Sequence, residues 1–257
     1  MDVSSLQSVQ KAAMTYMQQH SDKLDMLFLN AGIYTAASEF DKNSPLTLSK
    51  DGIEMVFATN VLGHHLLYKM LQPILIKSNM ARVVLTSSFM SYTSFDYGVA
   101  TDLQTLNTGD SSLIHSVKVY GQSKLAQILL VKSMVKQLQQ ENVSNVYVNA
   151  ANPGIVRTPM QYRHSLKKSN PKLVNTITKW IQDKQTMWGS AEGALTPLYL
   201  GVATNDIQYM NINGRYYSPM AVEASPPKIV LDEELQEKVW KFCNDLVKDY
   251  VLQERSD

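Results

Sequence analysis

Several features that mark particular classes of protein are scarce in this sequence. Cys243 is the only cysteine, which excludes an internal disulfide framework and a zinc site built on cysteines. No window approaches the roughly 18 apolar residues of a membrane-spanning helix, and the nearest, LLYKMLQPILIK, contains Lys69 and Pro73. The formal net charge is +1, so nothing points to nucleic acid as a partner. The opening MDVSSLQSVQK lacks the apolar run of a secretory signal. These absences predict a cytoplasmic protein, with peripheral contact to membranes or lipid droplets left open.

What is present predicts one α/β domain over residues 1–257. The composition, 44% apolar and 18% charged, is that of a globular protein, and neither a repeat nor a linker divides the chain. Short apolar strands alternate with helical patterns, which is typical of a parallel sheet covered by helices. Strands are predicted at Met26–Leu29, at Val83–Thr86, in NVYVNAANPG up to Asn152-Pro153-Gly154, and in GRYYSP. Helices are predicted over 4–20, 50–77 with a break or kink near Pro73, 117–140, 190–203 and 232–250.

Polar groups follow three of these strands at the points where the strands end. They are Asn30-Ala31-Gly32, Ser87-Ser88 and Asn152-Pro153-Gly154. Ligands of open parallel sheets bind beyond the carboxyl ends of the strands. The sequence therefore predicts a site at this edge, which the helix carrying Tyr120 and Lys124 would also reach.

The stretch VYGQSKLAQ places Tyr120 and Lys124 four residues apart, on one helix face. A free tyrosine titrates near pH ~10, and a nearby positive charge stabilises the phenolate and lowers that pKa. With a hydroxyl from Ser88 holding a carbonyl beside the phenol, the group suits proton transfer to a carbonyl oxygen. Each feature alone also has a structural explanation, since Tyr-x-x-x-Lys occurs by chance on amphipathic helices.

Taken in order, the motifs NAG, TNVLGHH, VVLTSS, YGQSK and NPGIVRTPM resemble those of the short-chain dehydrogenase/reductase family along essentially the whole chain. The ending after NGRYYSP resembles the retinol-dehydrogenase and WW-domain-oxidoreductase branch. The resemblance implies a Rossmann-like doubly wound sheet and a catalytic tetrad of Asn60, Ser88, Tyr120 and Lys124, with Ser87 as the alternative serine. It implies that Tyr120 is the acid/base, that Lys124 lowers its pKa and binds the nicotinamide ribose, and that Asn60 holds a relay water.

The resemblance also implies a nicotinamide cofactor, NAD or NADP, and the residues that bind it. Beside Tyr120 and Lys124, Asp2 would contact the adenine, Asn30, Ala31 and Gly32 would line the groove, and Val156 and Thr158 would contact the carboxamide. Val3, Pro153 and Gly154 are the other residues implied to bind the cofactor. No metal site is implied.

A sugar-nucleotide epimerase also uses Tyr-x-x-x-Lys, but it would carry a larger C-terminal substrate region.

The sequence departs from the family pattern at its N-terminal end. None of the 11 glycines forms a G-x-G-x-x-G cluster, the turn whose amides bind the cofactor pyrophosphate. The resemblance aligns the opening residues with the segment after the family's third strand. Two strand–helix units and most of that strand, roughly 60 residues at ~30 per unit, are then expected to be missing. The strand MLFL would have an open edge, which invites pairing with another chain or a second copy.

Three explanations stay open: a longer natural dehydrogenase, a short product that acts as an interaction module without turnover, and a short product completed by another chain. By resemblance, the substrate is a lipophilic carbonyl or alcohol such as a retinoid, a steroid or a lipid aldehyde. Apolar residues between Pro159 and Trp188 are expected either to form a lid over such a substrate or to pack a helix pair.

Overall fold

The structure of the chain is a computed structural model, in which residues 1–34, 46–110, 112–157 and 188–251 are described. The helices are α1 (Leu6–Gln19), α2 (Met55–Phe57), α3 (Gly63–Ile76), α4 (Leu103–Leu106), α5 (Leu113–Gln140), α6 (Ser190–Val202), α7 (Thr204–Tyr209) and α8 (Glu233–Val251). The strands are β1 (Met26–Leu29), β2 (Ala81–Thr86), β3 (Val146–Ala151), β4 (Tyr216–Ser218) and β5 (Val222–Glu223). In the described part of the chain, no helix is long and apolar enough to cross a membrane.

The five strands form one sheet in the order β1–β2–β3–β4–β5. Strands β1 to β4 are parallel, and β5 returns antiparallel to β4. Leu29 pairs with Leu85, which pairs with Ala150, so the first three strands end at nearly the same level. The predicted α/β architecture with a parallel sheet is therefore confirmed.

Helices cover both faces of this sheet. Helices α1, α3, α5 and α8 pack together on one face, where they enclose the main hydrophobic core. Helix α5 supplies its centre with Leu125, Ala126 and the run 128–131, because its apolar residues face both the sheet and α8. On the opposite face, α6 packs against β1, β2 and β3, and Leu200 lies in a smaller cluster there.

Strand β1 forms one edge of the sheet. Strand β2 is buried along its whole length, as its apolar run predicts, whereas β1 alternates between exposed and buried positions. Leu27 and Leu29 lie in the main core, while Met26 and Phe28 are each 39% exposed. Among the described residues, no strand pairs with the outer edge of β1.

The predicted helix over residues 50–77 begins later and is interrupted elsewhere than expected. It consists of α2, a π-helical turn at Ala58–Leu62, and α3. Helix α3 continues through Pro73 to Ile76, so the predicted break near Pro73 is wrong. Around the proline, three side chains are buried in the core: Leu71, Ile74 and Leu75. Their packing outweighs the one backbone hydrogen bond that proline cannot make.

A buried carboxyl group caps this helix. Glu54 is 3% exposed, and its oxygens accept hydrogen bonds from the backbone N–H groups of Val56 at 2.8 Å and Phe57 at 2.7 Å. Burial raises the pKa of Glu54 to about 7, because little solvent remains to stabilise its charge. The two hydrogen bonds act in the opposite direction and are outweighed.

We expect Glu54→Ala to lower the free energy of unfolding by about 2–4 kcal/mol, because it removes both capping bonds and opens a cavity. Glu54→Gln keeps the shape and one acceptor oxygen, so it should cost less. Urea unfolding of both variants at pH 6 measures the difference. An alanine variant as stable as the unsubstituted chain would show that the cap contributes nothing.

Helix α5 begins at Leu113, four residues before the predicted start near Val117. The side chain of Ser112 caps it by accepting a hydrogen bond from the backbone N–H of His115 at 3.1 Å. As a result, Tyr120 and Lys124 lie inside the helix rather than in its first turn.

Candidate active site

The predicted edge of the sheet does gather polar side chains. The Thr86 hydroxyl, at the end of β2, donates to Asn30 Oδ1 just beyond β1, at 2.9 Å. The Ser87 hydroxyl donates to the backbone oxygen of Lys124 at 2.7 Å, which ties α5 to the end of β2. Because the parallel strands end together, the end of β1 is joined to the end of β2, which is joined in turn to α5.

Asn60 lies in the π-helical turn, with 0% of its surface exposed. Its Oδ1 accepts from the backbone N–H of Ile33 at 2.8 Å, and its Nδ2 donates to the Ile33 oxygen at 3.0 Å. The same Nδ2 lies 3.0 Å from the Ser123 hydroxyl, which donates to the Tyr120 oxygen at 2.7 Å. Asn60 therefore joins the loop after β1 to α5. Such π turns recur at functional sites.

Lys124 is buried, with 3% of its surface exposed. Its ammonium donates to the backbone oxygen of Thr86 at 2.8 Å and to Gln127 Oε1 at 3.1 Å. Burial lowers the pKa of Lys124 to about 7, because the charged form loses its hydration. Among the described residues, no carboxylate forms an ion pair with it. Nearby, His64 is kept neutral, since burial and the charge of Lys124 lower its pKa to about 3.

Tyr120 lies one turn before Lys124, whose Nζ is 5.5 Å from the centre of the phenol ring. The ring of Tyr34 meets it edge-on, with the centroids 5.3 Å apart. Burial raises the pKa of Tyr120 to about 12, although its hydrogen bond with the Ser88 side chain acts in the opposite direction. In the free chain the pKa of Tyr120 therefore lies above its ordinary value, and the role that the resemblance gives Lys124 stays a prediction. Desolvation of the phenolate is the largest influence on this pKa.

Two glycines allow the close approaches that build this site. A Cβ at Gly32 would lie 3.2 Å from Asn60 Oδ1 and 3.5 Å from Lys124 Nζ. A Cβ at Gly121 would lie 2.7 Å from the Met90 oxygen, in the turn that the Ser88 hydroxyl caps. Glycine at 121 thus lets α5 approach that turn closely enough to bring Tyr120 beside Ser88.

The segment after β3 lies along a groove that shares Asn30 with this edge of the sheet. Gly154 has φ +80°, and a Cβ there would lie 2.7 Å from the Trp188 ring. Val156 forms a parallel bridge with Trp188 and contacts Gly193 of α6. The groove has a volume of about 410 Å³ and is lined by Phe28, Asn30, Pro153, Val156, Ser190, Gly193, Ala194, Pro197 and Leu198.

For the remaining residues predicted to bind the cofactor, the structure shows no hydrogen bond to Asn60, Ser88, Tyr120 or Lys124 among the described residues. Ala31 is exposed in the loop after β1. The Asp2 carboxylate accepts from the backbone N–H of Ser4, within its own turn. The Val3 oxygen abuts Gly63 at the start of α3, where a Cβ would lie 2.0 Å from it. Thr158 and the expected lid up to residue 187 lie outside the described residues.

Three residues of the site were not predicted from the sequence: Tyr34, Ser123 and Gln127. Gln127 is fully buried, and its Nε2 donates to the Asn60 oxygen at 2.9 Å. It is a polar residue within the apolar run LAQILLV, one turn after Lys124, and that placement was the available signal. Tyr34 carries no such signal, because its contact with Tyr120 depends on how the loop folds.

The chain matches the family model described as short chain dehydrogenase over residues 1–100 and 108–169. It is 32% identical over 247 residues to retinol dehydrogenase 14 of Mus musculus, covering 96% of this chain and 66% of that protein. It is 28% identical over 253 residues to the short-chain dehydrogenase TIC 32 A, chloroplastic, of Brassica napus, covering 96% and 71%. The chain thus spans just under two thirds of the retinol dehydrogenase.

Solved structures share the fold. A crystal structure of an uncharacterized protein from Mycobacterium Paratuberculosis superposes with a TM-score of 0.63 at 22% identity, covering 96% of this chain and 74% of that one. The NADPH-bound carbonyl reductase from chicken fatty liver superposes with a TM-score of 0.54 at 18% identity, covering 88% and 75%. With the family match and the retinol dehydrogenase relatives, these findings place the chain in the short-chain dehydrogenase family, in its retinol-dehydrogenase-like branch.

Proposed function

We propose that the chain carries the proton-transfer machinery of a nicotinamide-dependent oxidoreductase that interconverts an alcohol and a carbonyl. The observation that carries the proposal is the meeting of Tyr120, Ser88, Lys124 and Asn60 where the parallel strands end. A nicotinamide cofactor, when bound, exchanges a hydride with the carbon atom of the substrate's carbonyl or alcohol group.

The side chains would divide the remaining chemistry among them. Tyr120 would donate its phenolic proton to the carbonyl oxygen in reduction and take the alcohol proton in oxidation. A phenol with a pKa of about 12 is protonated at neutral pH, which is the state that reduction requires. Ser88 would hold the substrate oxygen beside that phenol, and the Lys124 ammonium would stabilise the phenolate. Asn60 would keep the loop after β1 in place.

The residues present fit the nicotinamide and ribose half of a dinucleotide. Gly32 has no side chain to crowd Asn60 and Lys124, since a Cβ there would lie 3.2 Å from Asn60 Oδ1. The Lys124 ammonium makes two of its three possible hydrogen bonds within the described residues. Asn30, Pro153 and Val156 line the adjoining groove. The cofactor is NAD or NADP, and the sequence contains no glycine-rich turn for its pyrophosphate.

The groove also supports a lipophilic substrate. Most of its lining side chains are apolar, among them Phe28, Val156, Pro197 and Leu198. An apolar groove with few polar groups is the usual form of a small-molecule site. Together with the similarity to retinol dehydrogenase 14, this favours a retinoid, a steroid or a lipid aldehyde.

We also propose that the edge of β1 can pair with another strand, from a second copy or from a different chain. Met26 and Phe28 are both partly exposed there, and the backbone edge is unpaired among the described residues. Exposed apolar edge strands favour such pairing. This surface also supports the alternative function, an interaction module without turnover.

A fluorescence titration of the purified chain with NADH and with NADPH tests the proposal. We expect saturable binding in the micromolar range and reduction of retinal or another lipophilic aldehyde. Lys124→Ala should weaken binding about tenfold or more, because a hydrogen bond from a charged group contributes about 1.5–3 kcal/mol. Lys136→Ala is the matched control, since Lys136 lies on the same helix but pairs with Glu237 at the surface. Folded protein that neither binds the cofactors nor reduces any aldehyde would favour the interaction module.

A further inference from the structure

Gln127 bridges two residues of the proposed machinery. It lies in α5, one turn after Lys124, and 0% of its surface is exposed. Its Oε1 accepts a hydrogen bond from Lys124 Nζ at 3.1 Å, and its Nε2 donates to the Asn60 backbone oxygen at 2.9 Å. One side chain therefore connects the ammonium to the π-helical turn, which lies 67 residues away in the sequence.

The orientation of this amide is determined by its partners. An ammonium can only donate hydrogen bonds, and a backbone carbonyl can only accept them. The amide oxygen must therefore face Lys124, and the amide nitrogen must face Asn60. A flipped amide would lose both hydrogen bonds inside a buried site, where unpaired polar groups are costly.

We propose that Gln127 is a positioning residue that acts through Lys124: anchored on the Asn60 carbonyl, its amide holds the ammonium beside Tyr120 and stabilises its charged form. The inference rests on the proposed function, because the position of the ammonium affects turnover only if the ammonium serves Tyr120. The ammonium donates two of its three hydrogens to Thr86 and Gln127, and Gly32 has no side chain to crowd it.

Few other groups would disturb a measurement of Lys124. Within the described ranges, the titratable groups with a recorded interaction with Lys124 or Tyr120 are Tyr120 itself, His64 on α3, and Tyr34, which touches Tyr120. Between pH 5 and pH 9 all three stay neutral, because the pKa of His64 is about 3, that of Tyr120 is about 12 and burial raises that of Tyr34. Over this range, these three neighbours form a constant background for the titration of Lys124.

The test is an NMR titration with pH of the whole chain carrying ¹³Cε-labelled lysine, which measures the pKa of Lys124. The Lys124→Met variant identifies the signal of Lys124. Gln127→Leu fills the same space without an amide, and we expect the pKa of Lys124 to fall by about 1 or more, because its charged form loses an acceptor. Gln127→Glu keeps an acceptor and adds a negative charge, so it should raise that pKa. Gln122→Leu is the control, since this equally buried amide on α5 accepts from Ala100 N–H at 2.9 Å instead.

Either substitution at 127 decides the question, so failure of one to fold does not block the test. An unchanged pKa of Lys124 in folded Gln127→Leu or in folded Gln127→Glu would overturn the inference. So would a shift of the same size in Gln122→Leu, which would indicate a general effect of loosening the helix.

Turnover separates this inference from the proposed function. In Gln127→Leu we expect kcat for a lipophilic aldehyde to fall about tenfold or more, and Gln127→Glu to recover part of it. Unchanged kcat with a shifted pKa would overturn the positioning role. Absence of turnover in the unsubstituted chain would instead overturn the proposed function, while the titration would still report on the hydrogen bond.

Discussion

Replacing Tyr120 by phenylalanine is expected to lower kcat/KM for a lipophilic aldehyde by about 10²–10⁴-fold, the usual contribution of a general acid. The substitution removes only the hydroxyl whose proton the substrate oxygen would receive. The ring, its edge contact with Tyr34 and its place beside Lys124 all remain. Cofactor binding should therefore change little, and the free energy of unfolding should change by about 1 kcal/mol.

Steady-state kinetics, with cofactor fluorescence measured in parallel, checks this result. Tyr68→Phe is the matched control, because Tyr68 is fully buried outside the site and its hydroxyl has no hydrogen-bond partner in the described structure. The control should keep full activity. If Tyr120→Phe retained the activity of the unsubstituted chain, Tyr120 could not be the acid, whichever cofactor is bound.

Replacing Lys124 by methionine is expected to change how stability depends on pH. In the folded chain burial lowers the pKa of Lys124 to about 7, whereas an unfolded lysine titrates near ~10.4. Between these values the unfolded state binds more protons than the folded state, so this group makes the folded chain more stable as the pH rises. The contribution of Lys124 to the free energy of unfolding is greatest above pH ~10.4, and it is lost as the pH falls to about 7.

The expected size of this effect is about 3 kcal/mol between pH 7 and pH 9.5. Urea unfolding of the unsubstituted chain and of Lys124→Met at both values measures it. The methionine variant should lack this rise, and it should also lose turnover. Lys136→Met serves as the control, because Lys136 is exposed and its removal should leave the pH dependence unchanged. If the free energy of unfolding of Lys124→Met rose with pH as much as that of the unsubstituted chain, Lys124 would not be desolvated by the fold.

Local patterns in the sequence determined much of this picture. Apolar runs predicted β1 to β3 within one or two residues, because a strand buried in a sheet needs continuous apolar side chains. The spacing of Tyr120 and Lys124 predicted their common helix face, and the polar residues after each strand predicted where the site would lie. The family followed from short motifs in a fixed order. All of these properties depend on neighbours within a few residues.

Only the tertiary structure decided how these groups affect one another. The contact between Gln127 and Asn60 joins residues far apart in the sequence, and no local pattern records it. The raised pKa of Tyr120 follows from burial, which depends on packing by several elements at once. The irregular turn lies at Asn60 rather than at Pro73. The core around the proline holds that helix regular, whereas Asn60 in the turn bonds to the loop after β1 and to α5. Spacing along the chain determined which side chains can act together, and packing determined their charges and partners.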